Sequence, residues 1–152
     1  MSTDDREYVR RNLDKMNEHC TNIAYMLHQV GDESDFKKNV TYQYAFTNAL
    51  AQIGEHTKHI DLWLENHSDY DWHGCMGFRD IVDHHYSNVD YEMVWDIINE
   101  DIPDLMSILM DLRNQLDGLP DEDFKIITSR KAEATEPKRF NPFKNLFKKK
   151  QY

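Results

Sequence analysis

Residues Arg79-Asp80-Ile81-Val82-Asp83-His84-His85-Tyr86 gather side chains that can move protons and hold phosphate. Cleaving RNA without a metal needs a base for the ribose 2′-hydroxyl and a cation for the crowded phosphate. His84 suits the proton transfer, because imidazole titrates near neutrality. Arg79 suits the charge that develops on a phosphorane. Asp80, one helical turn before His84, can orient its ring. His84 and His85 are adjacent, so only one of them can face a common cleft. The plainer alternative is a solvated helix face. Arg79 with Asp83 and Asp80 with His84 are each four residues apart, the spacing of ordinary helix-surface ion pairs. Arg79 and His84 are five apart, about 140° around a helix, so they do not share a face. Two copies of the helix facing each other across a dimer would remove that difficulty.

Helices must position these residues. Val9, Leu13, Met16, Cys20, Ile23, Leu27 and Val30 alternate four- and three-residue steps, the spacing of one apolar stripe on a helix. Gly31 is a natural stop after them, and 32–35 make a short polar connection. A second helix is expected from about Asp35 to Asn66, with its stripe on Phe46, Leu50, Ile53, Thr57, Ile60 and Leu64. Gly54 costs this helix about 1 kcal/mol against alanine, which suggests that a neighbouring helix approaches closely there. After a loop at 66–71, in which Asp71 is a candidate cap, a third helix runs from roughly Trp72 to Tyr86. It contains Gly74 and Gly77 and is locally weak. A turn follows at 87–90, with Asp90 as cap. A fourth helix starts at Tyr91, and Pro103 either kinks it or opens a new helix. Leu105, Ile108, Leu109, Leu112 and Leu116 carry its apolar stripe to Gly118-Leu119-Pro120.

The expected fold is therefore all-α: an up-and-down bundle of four to five helices over residues 1–119. Residues 120–152 are read as a flexible, basic tail. One domain suits a chain of 152 residues, and five glycines and four prolines are few breakers. The net charge of −10 is unevenly spread. Residues 1–119 carry 23 acidic and 9 basic side chains, whereas the last fifteen residues carry six Lys or Arg and no acid. The acidic body argues against broad nonspecific nucleic-acid binding and leaves room for a local basic site. Cys20 and Cys75 lack the spacing of a zinc ribbon or a redox motif. Free thiols, a charged start without an apolar signal core, and no apolar run long enough for a bilayer give the expectation of a cytoplasmic protein away from membranes.

Arg79-x4-His84-x-Tyr86, set among its flanks, resembles the R-x4-H-x-Y signature of HepT-like toxins of the HEPN superfamily. The flanks are Ile53-Gly54-Glu55, Trp72, Cys75-Met76-Gly77, Val89-Asp90, Trp95 and Asp101-Ile102-Pro103-Asp104-Leu105. The resemblance covers roughly residues 6–116. It implies a helical bundle that forms a homodimer with the signatures at the interface. It implies an RNA-cleaving toxin with Arg79 and His84 as the catalytic pair. It also implies a minimal nucleotidyltransferase (MNT) antitoxin as partner, which transfers AMP to Tyr86 and so blocks the cleft. A bulky anion there would compete with RNA phosphate. The residue after the arginine is often Asn in this family and is Asp80 here. Its charge should weaken RNA binding unless Arg79 or His84 neutralises it. The alternative is a non-catalytic HEPN module that binds a nucleotidyltransferase.

Glu55 has two readings, an acid near the cleft or an acid bonded to Arg79. Glu55, His59 and His84 or His85 could be imagined around a metal, but no H-E-x-x-H motif exists and solvated helix histidines are commoner. The expectation is no metal and no cofactor. Trp63, Trp72 and Trp95 are assigned to the core or to a dimer seam. In the tail, Phe140, Phe143, Leu146 and Phe147 alternate with Lys138, Arg139, Lys144 and Lys148 to Lys150. This pattern fits a solvated tail, an amphipathic helix on a membrane or acidic partner, or a grip on RNA.

Overall fold

A computed structural model describes residues 2–84 and 89–129. His85 and Tyr86, and the stretch 130–152, lie outside the described residues. The described chain is helical throughout: α1 (Ser2–Val30), α2 (Glu33–Lys38), α3 (Val40–His59), α4 (Asp61–His67), α5 (Trp72–His84), α6 (Tyr91–Asp96) and α7 (Ile102–Gln115). α6 runs into α7 through one π turn, Ile97–Asp101. The long elements are thus α1, the α3–α4 pair, α5 and the α6–α7 rod. The all-α bundle expected from periodicity is the observed one.

α1 buries Val9, Leu13, Met16, Cys20, Ile23 and Val30, with Leu27 partly covered. It ends at Gly31, whose φ of +90° is one that L side chains rarely adopt. Asp32 and Asp35 then cap each other's backbone N–H at 2.9 and 3.0 Å, a capping box. This starts α2 at Glu33, where a polar connection was expected.

The single helix expected over 35–66 is three. Asn39 leaves the helical region (φ −109°, ψ 92°) and its side chain accepts from the Tyr42 N–H at 3.1 Å. The break lets α2 turn Phe36 into the core, against Phe46, Tyr91 and Trp95. A second break falls at Ile60 (φ −134°, ψ 27°), a fully buried residue. Thr57 precedes it and bonds back to the Ile53 carbonyl at 2.7 Å, a habit that bends helices. Spacing alone missed the break at Ile60 because the apolar stripe continues across it, and the break at Asn39 because the stripe begins only at Phe46.

Asp71 caps α5 by accepting from the His73 N–H at 3.1 Å. Asp90 caps α6 by accepting from Glu92 and Met93. Pro103 lacks an N–H, and its ring would meet the carbonyl one turn earlier. The rod answers with the π turn just before it, and Asn99 bonds back to the Trp95 carbonyl at 2.8 Å. The apolar stripe then continues through Leu105, Leu109, Leu112 and Leu116.

The packed body extends past the boundary expected at 119. Phe124 is buried against Trp63, and the Arg6 guanidinium lies 4.4 Å above its ring. Arg6 also bonds the carbonyls of Leu116 and Leu119 and pairs with Asp121. This anchor, with the bonds of Ile127, Thr128 and Ser129 to Trp63, Lys58 and Asp61, fastens 120–129, which periodicity cannot register. Trp63 and Trp72 are core, and Trp95 is half-buried on Phe36. Among the described residues, no helix is long and apolar enough to cross a membrane.

Candidate functional site

α3 and α5 meet at Gly54. A Cβ there would lie 2.7 Å from the Cβ of Arg79 and would collide with the Cys75 carbonyl. No side chain larger than hydrogen fits, so α5 settles directly on α3. This contact brings Arg79 over the residue after the glycine. Arg79 Nε donates to Glu55 Oε2 at 3.1 Å, and its Nη1 pairs with Asp83. The guanidinium is mostly buried, with 15% of the side chain exposed. Two carboxylates from two directions hold its plane. The Arg79–Asp83 pair expected from spacing is present, and Glu55 is the acid bonded to Arg79.

Glu55 is held in turn by His59, whose Nε2 lies 3.3 Å from Oε1. Behind it, His56 and His59 both direct Nδ1 to the Oδ1 of buried Asn12 at 3.0 Å. His19 stacks on His56. Burial, with His59 and His19 nearby, pushes His56 down to about 4. It is therefore neutral at pH 7 and acts as a structural donor. Among the described residues no group of three His, Cys, Asp or Glu could hold a metal ion.

Asp80, the residue expected to orient the His84 ring, has an ion-pair partner on another helix. It pairs with Lys58 of α3, whose side chain is 12% exposed. The local charge is thus balanced by a residue that sequence spacing could not connect, 22 positions away. His84 is the last residue of α5 and is exposed. The structure therefore holds Arg79 against α3, mostly buried, and leaves His84, five residues further along α5, exposed. Tyr86 lies outside the described residues.

The other face of α5 is open. A Cβ at Gly74 or Gly77 would meet nothing within 4 Å, and Ile81 is 38% exposed. These residues border an apolar cleft of about 650 Å³ against Leu50, Met93 and Leu105. Cys75 lies beside the cleft, and burial pushes its thiol up to about 11, too high for a nucleophile at neutral pH. Cys20 is buried, and both thiols are free.

The model of the family described as "Ribonuclease HepT-like" matches residues 16–112, around two thirds of the chain and the whole α3–α5 contact. The chain belongs to the HepT-like ribonuclease family. A Methanocaldococcus jannaschii protein with a provisional RNase name is 34% identical over 73 residues, 47% of this chain and 67% of that protein. A relative from Caldanaerobacter subterraneus, also with a provisional RNase name, is 36% identical over 72 residues, covering 64% of its own length. The "Probable ribonuclease HepT" of Thermococcus cleftensis is 34% identical over 80 residues, 52% of this chain and 73% of its own. No solved structure matches the chain significantly. Within the HepT-like frame, Lys58, Asn12 and His19 are the site neighbours that sequence reading left out, and His59 was weighed there only as part of a metal group.

Proposed function

We propose that this chain is the toxin of a toxin–antitoxin pair, an endoribonuclease that cuts RNA without a metal at an R-x4-H site. The single observation that carries the reading is the Gly54 contact, which holds Arg79 against Glu55 inside a HepT-like fold. The attacking ribose 2′-oxygen forms a bond to phosphorus, and the bond to the 5′-oxygen breaks. His84 takes the 2′-hydroxyl proton and, so protonated, gives a proton to the leaving 5′-oxygen. Arg79 stabilises the pentacoordinate phosphate.

Arg79 is buried against α3 while His84, about 140° further round α5, is exposed, which supports a cleft shared between two copies. The open α5 face with Gly74, Gly77 and Ile81 supports a second copy packing there. Each cleft then takes Arg79 from one protomer and His84 from its partner. A nucleotidyltransferase antitoxin of the MNT type neutralises the toxin by moving AMP from ATP onto the Tyr86 hydroxyl, releasing pyrophosphate.

The test uses co-expressed chains with distinct tags, one carrying Arg79→Ala and the other His84→Ala. Each homodimer is expected to leave RNA intact in EDTA, whereas the mixed dimer keeps one complete cleft and cuts. If the wild-type chain cuts no RNA and carries no adduct by mass spectrometry, the enzyme reading fails and a non-catalytic partner-binding module replaces it. If the mixed dimer is silent while wild type cuts, the shared cleft fails.

A further inference from the structure

His59 stands between two oxygens. Its Nδ1 lies 3.0 Å from Asn12 Oδ1, and its Nε2 lies 3.3 Å from Glu55 Oε1. The Asn12 amide has a fixed orientation, because its Nδ2 donates to the Tyr8 carbonyl at 2.9 Å. Oδ1 is therefore the acceptor, and His56 and His59 both donate to it from Nδ1. A neutral ring that donates from Nδ1 turns a lone pair on Nε2 toward the Glu55 carboxylate, which repels it. The imidazolium turns an N–H there instead. His59 is also the last residue of α3, where the partial negative charge of a helix end favours a cation. His56 shares the same oxygen and is kept neutral by burial, so the two rings do not repel.

The charge of the site depends on that ring. Arg79 brings one positive charge and meets the carboxylates of Glu55 and Asp83. Lys58 and Asp80 beside them cancel. With a neutral His59 this group holds one negative charge in excess, and a phosphodiester approaching Arg79 meets it. With His59 charged, the excess is gone. The side chains of His59 and Glu55 are 34% and 29% exposed, so water screens them only in part and one charge counts for more than on an open surface. Tyr8 and Asn12 from α1, Glu55 and His56 from α3, and Arg79 of α5 beyond Glu55 are the groups around the ring.

We propose that His59 is a positioning residue for Arg79: anchored on Asn12 as an imidazolium, it shares the charge of Glu55 and leaves Arg79 cationic toward the RNA phosphate. The inference rests on the ribonuclease reading and deepens it, by naming what sets the charge of its cation site. His59 acts through Glu55 and exchanges no proton with the RNA.

The experiment measures binding without cleavage. Full-length chains carrying His84→Ala are titrated with a short, unstructured fluorescent RNA at neutral pH and constant salt. Adding His59→Gln removes the charge and keeps a donor, and is expected to raise the Kd about three- to tenfold. His59→Arg keeps a cation and is expected to hold the Kd within about twofold of the parent chain. His59→Gln combined with Glu55→Gln removes both charges and leaves an amide oxygen for Arg79. It is expected to recover most of the loss, a coupling that a merely structural role of His59 would not produce. Equal Kd in all four chains overturns the proposal, as does a loss that neither His59→Arg nor the double change recovers. Cleavage by chains with His84 intact separates the two readings. If wild type cuts no RNA while the four chains bind it in the expected order, the ribonuclease reading fails and the His59 inference stands. If wild type and His59→Gln cut with the same kcat/KM, the His59 inference fails and the ribonuclease reading stands.

Discussion

Asp80 brings a negative charge beside Arg79, where the proposed reaction would place phosphate, and Lys58 answers it from the neighbouring helix. The pair is half sheltered, since Lys58 is covered and Asp80 is 56% exposed, so its weight is that of one charge near a surface, on the order of 1 kcal/mol or less. Lys58→Met leaves the carboxylate unbalanced and is expected to raise the Kd for RNA by about two- to fivefold. Asp80→Asn releases the ammonium and is expected to lower it by a similar factor. Fluorescence anisotropy on His84→Ala chains reads both changes, and a shared Kd across them would put this pair outside the RNA path. The sequence shows Asp80 as a departure from the usual Asn. Its remedy was not legible there, because Lys58 lies on another helix and meets Asp80 only after α3 and α5 pack.

At the scale of elements, the α3–α5 contact decides where Arg79 sits. Gly54 was legible as a close-approach position, since glycine inside a good helix needs a reason. What approaches it was not legible. Gly54→Ala puts a methyl group into the Cys75 carbonyl and the Arg79 Cβ, and backbone cannot yield cheaply. The expected cost is about 1–3 kcal/mol, read as a lower urea midpoint. RNA cleavage should fall further than stability does, because the shift moves Arg79 off Glu55. Gly74→Ala offers the contrast, since its Cβ meets nothing within 4 Å among the described residues. It should keep or raise monomer stability through better helix propensity. Equal losses of stability in the two variants would mean that the Gly54 contact is not what orders the helices.

For the whole molecule, acid is the revealing stress. His56 is pushed down to about 4 by burial, whereas an unfolded histidine titrates near about 6.5. Lys15, Glu18 and His19 from α1, and Glu55 and His59 from α3, are the charged and titratable groups around it. Above about pH 6.5 both states are neutral and stability is full. As pH falls toward 4 the unfolded chain gains a proton that the folded chain refuses, so stability drops across that window. Asp61 adds a second loss lower down, because its folded carboxyl is held below the ordinary range and must be protonated against Ser129. Denaturant midpoints between pH 7 and 4 are expected to fall for wild type. They should fall less for His56→Gln, which keeps a donor for Asn12 and does not titrate. Parallel curves for the two chains would assign the acid loss to other groups.

The sequence by itself determined the helical class, the buried stripes, the caps at Asp71 and Asp90 and the family signature. All of these are local properties: they follow from spacing along one strand of chain and from backbone chemistry within a few residues. The tertiary structure decided the two breaks around α3: an unbroken apolar stripe conceals the one at Ile60, and the one at Asn39 falls before the stripe begins. It decided that Asp80 meets Lys58, that Glu55 holds Arg79, and that Thr128 and Ser129 return to Lys58 and Asp61. Those are contacts between distant residues, and their energies exist only once separate helices share a surface. Arg79 and His84 sit at the boundary between the two kinds of information. Their spacing already placed them on different faces of a helix, and packing then turned one inward to Glu55 and left the other at the open end.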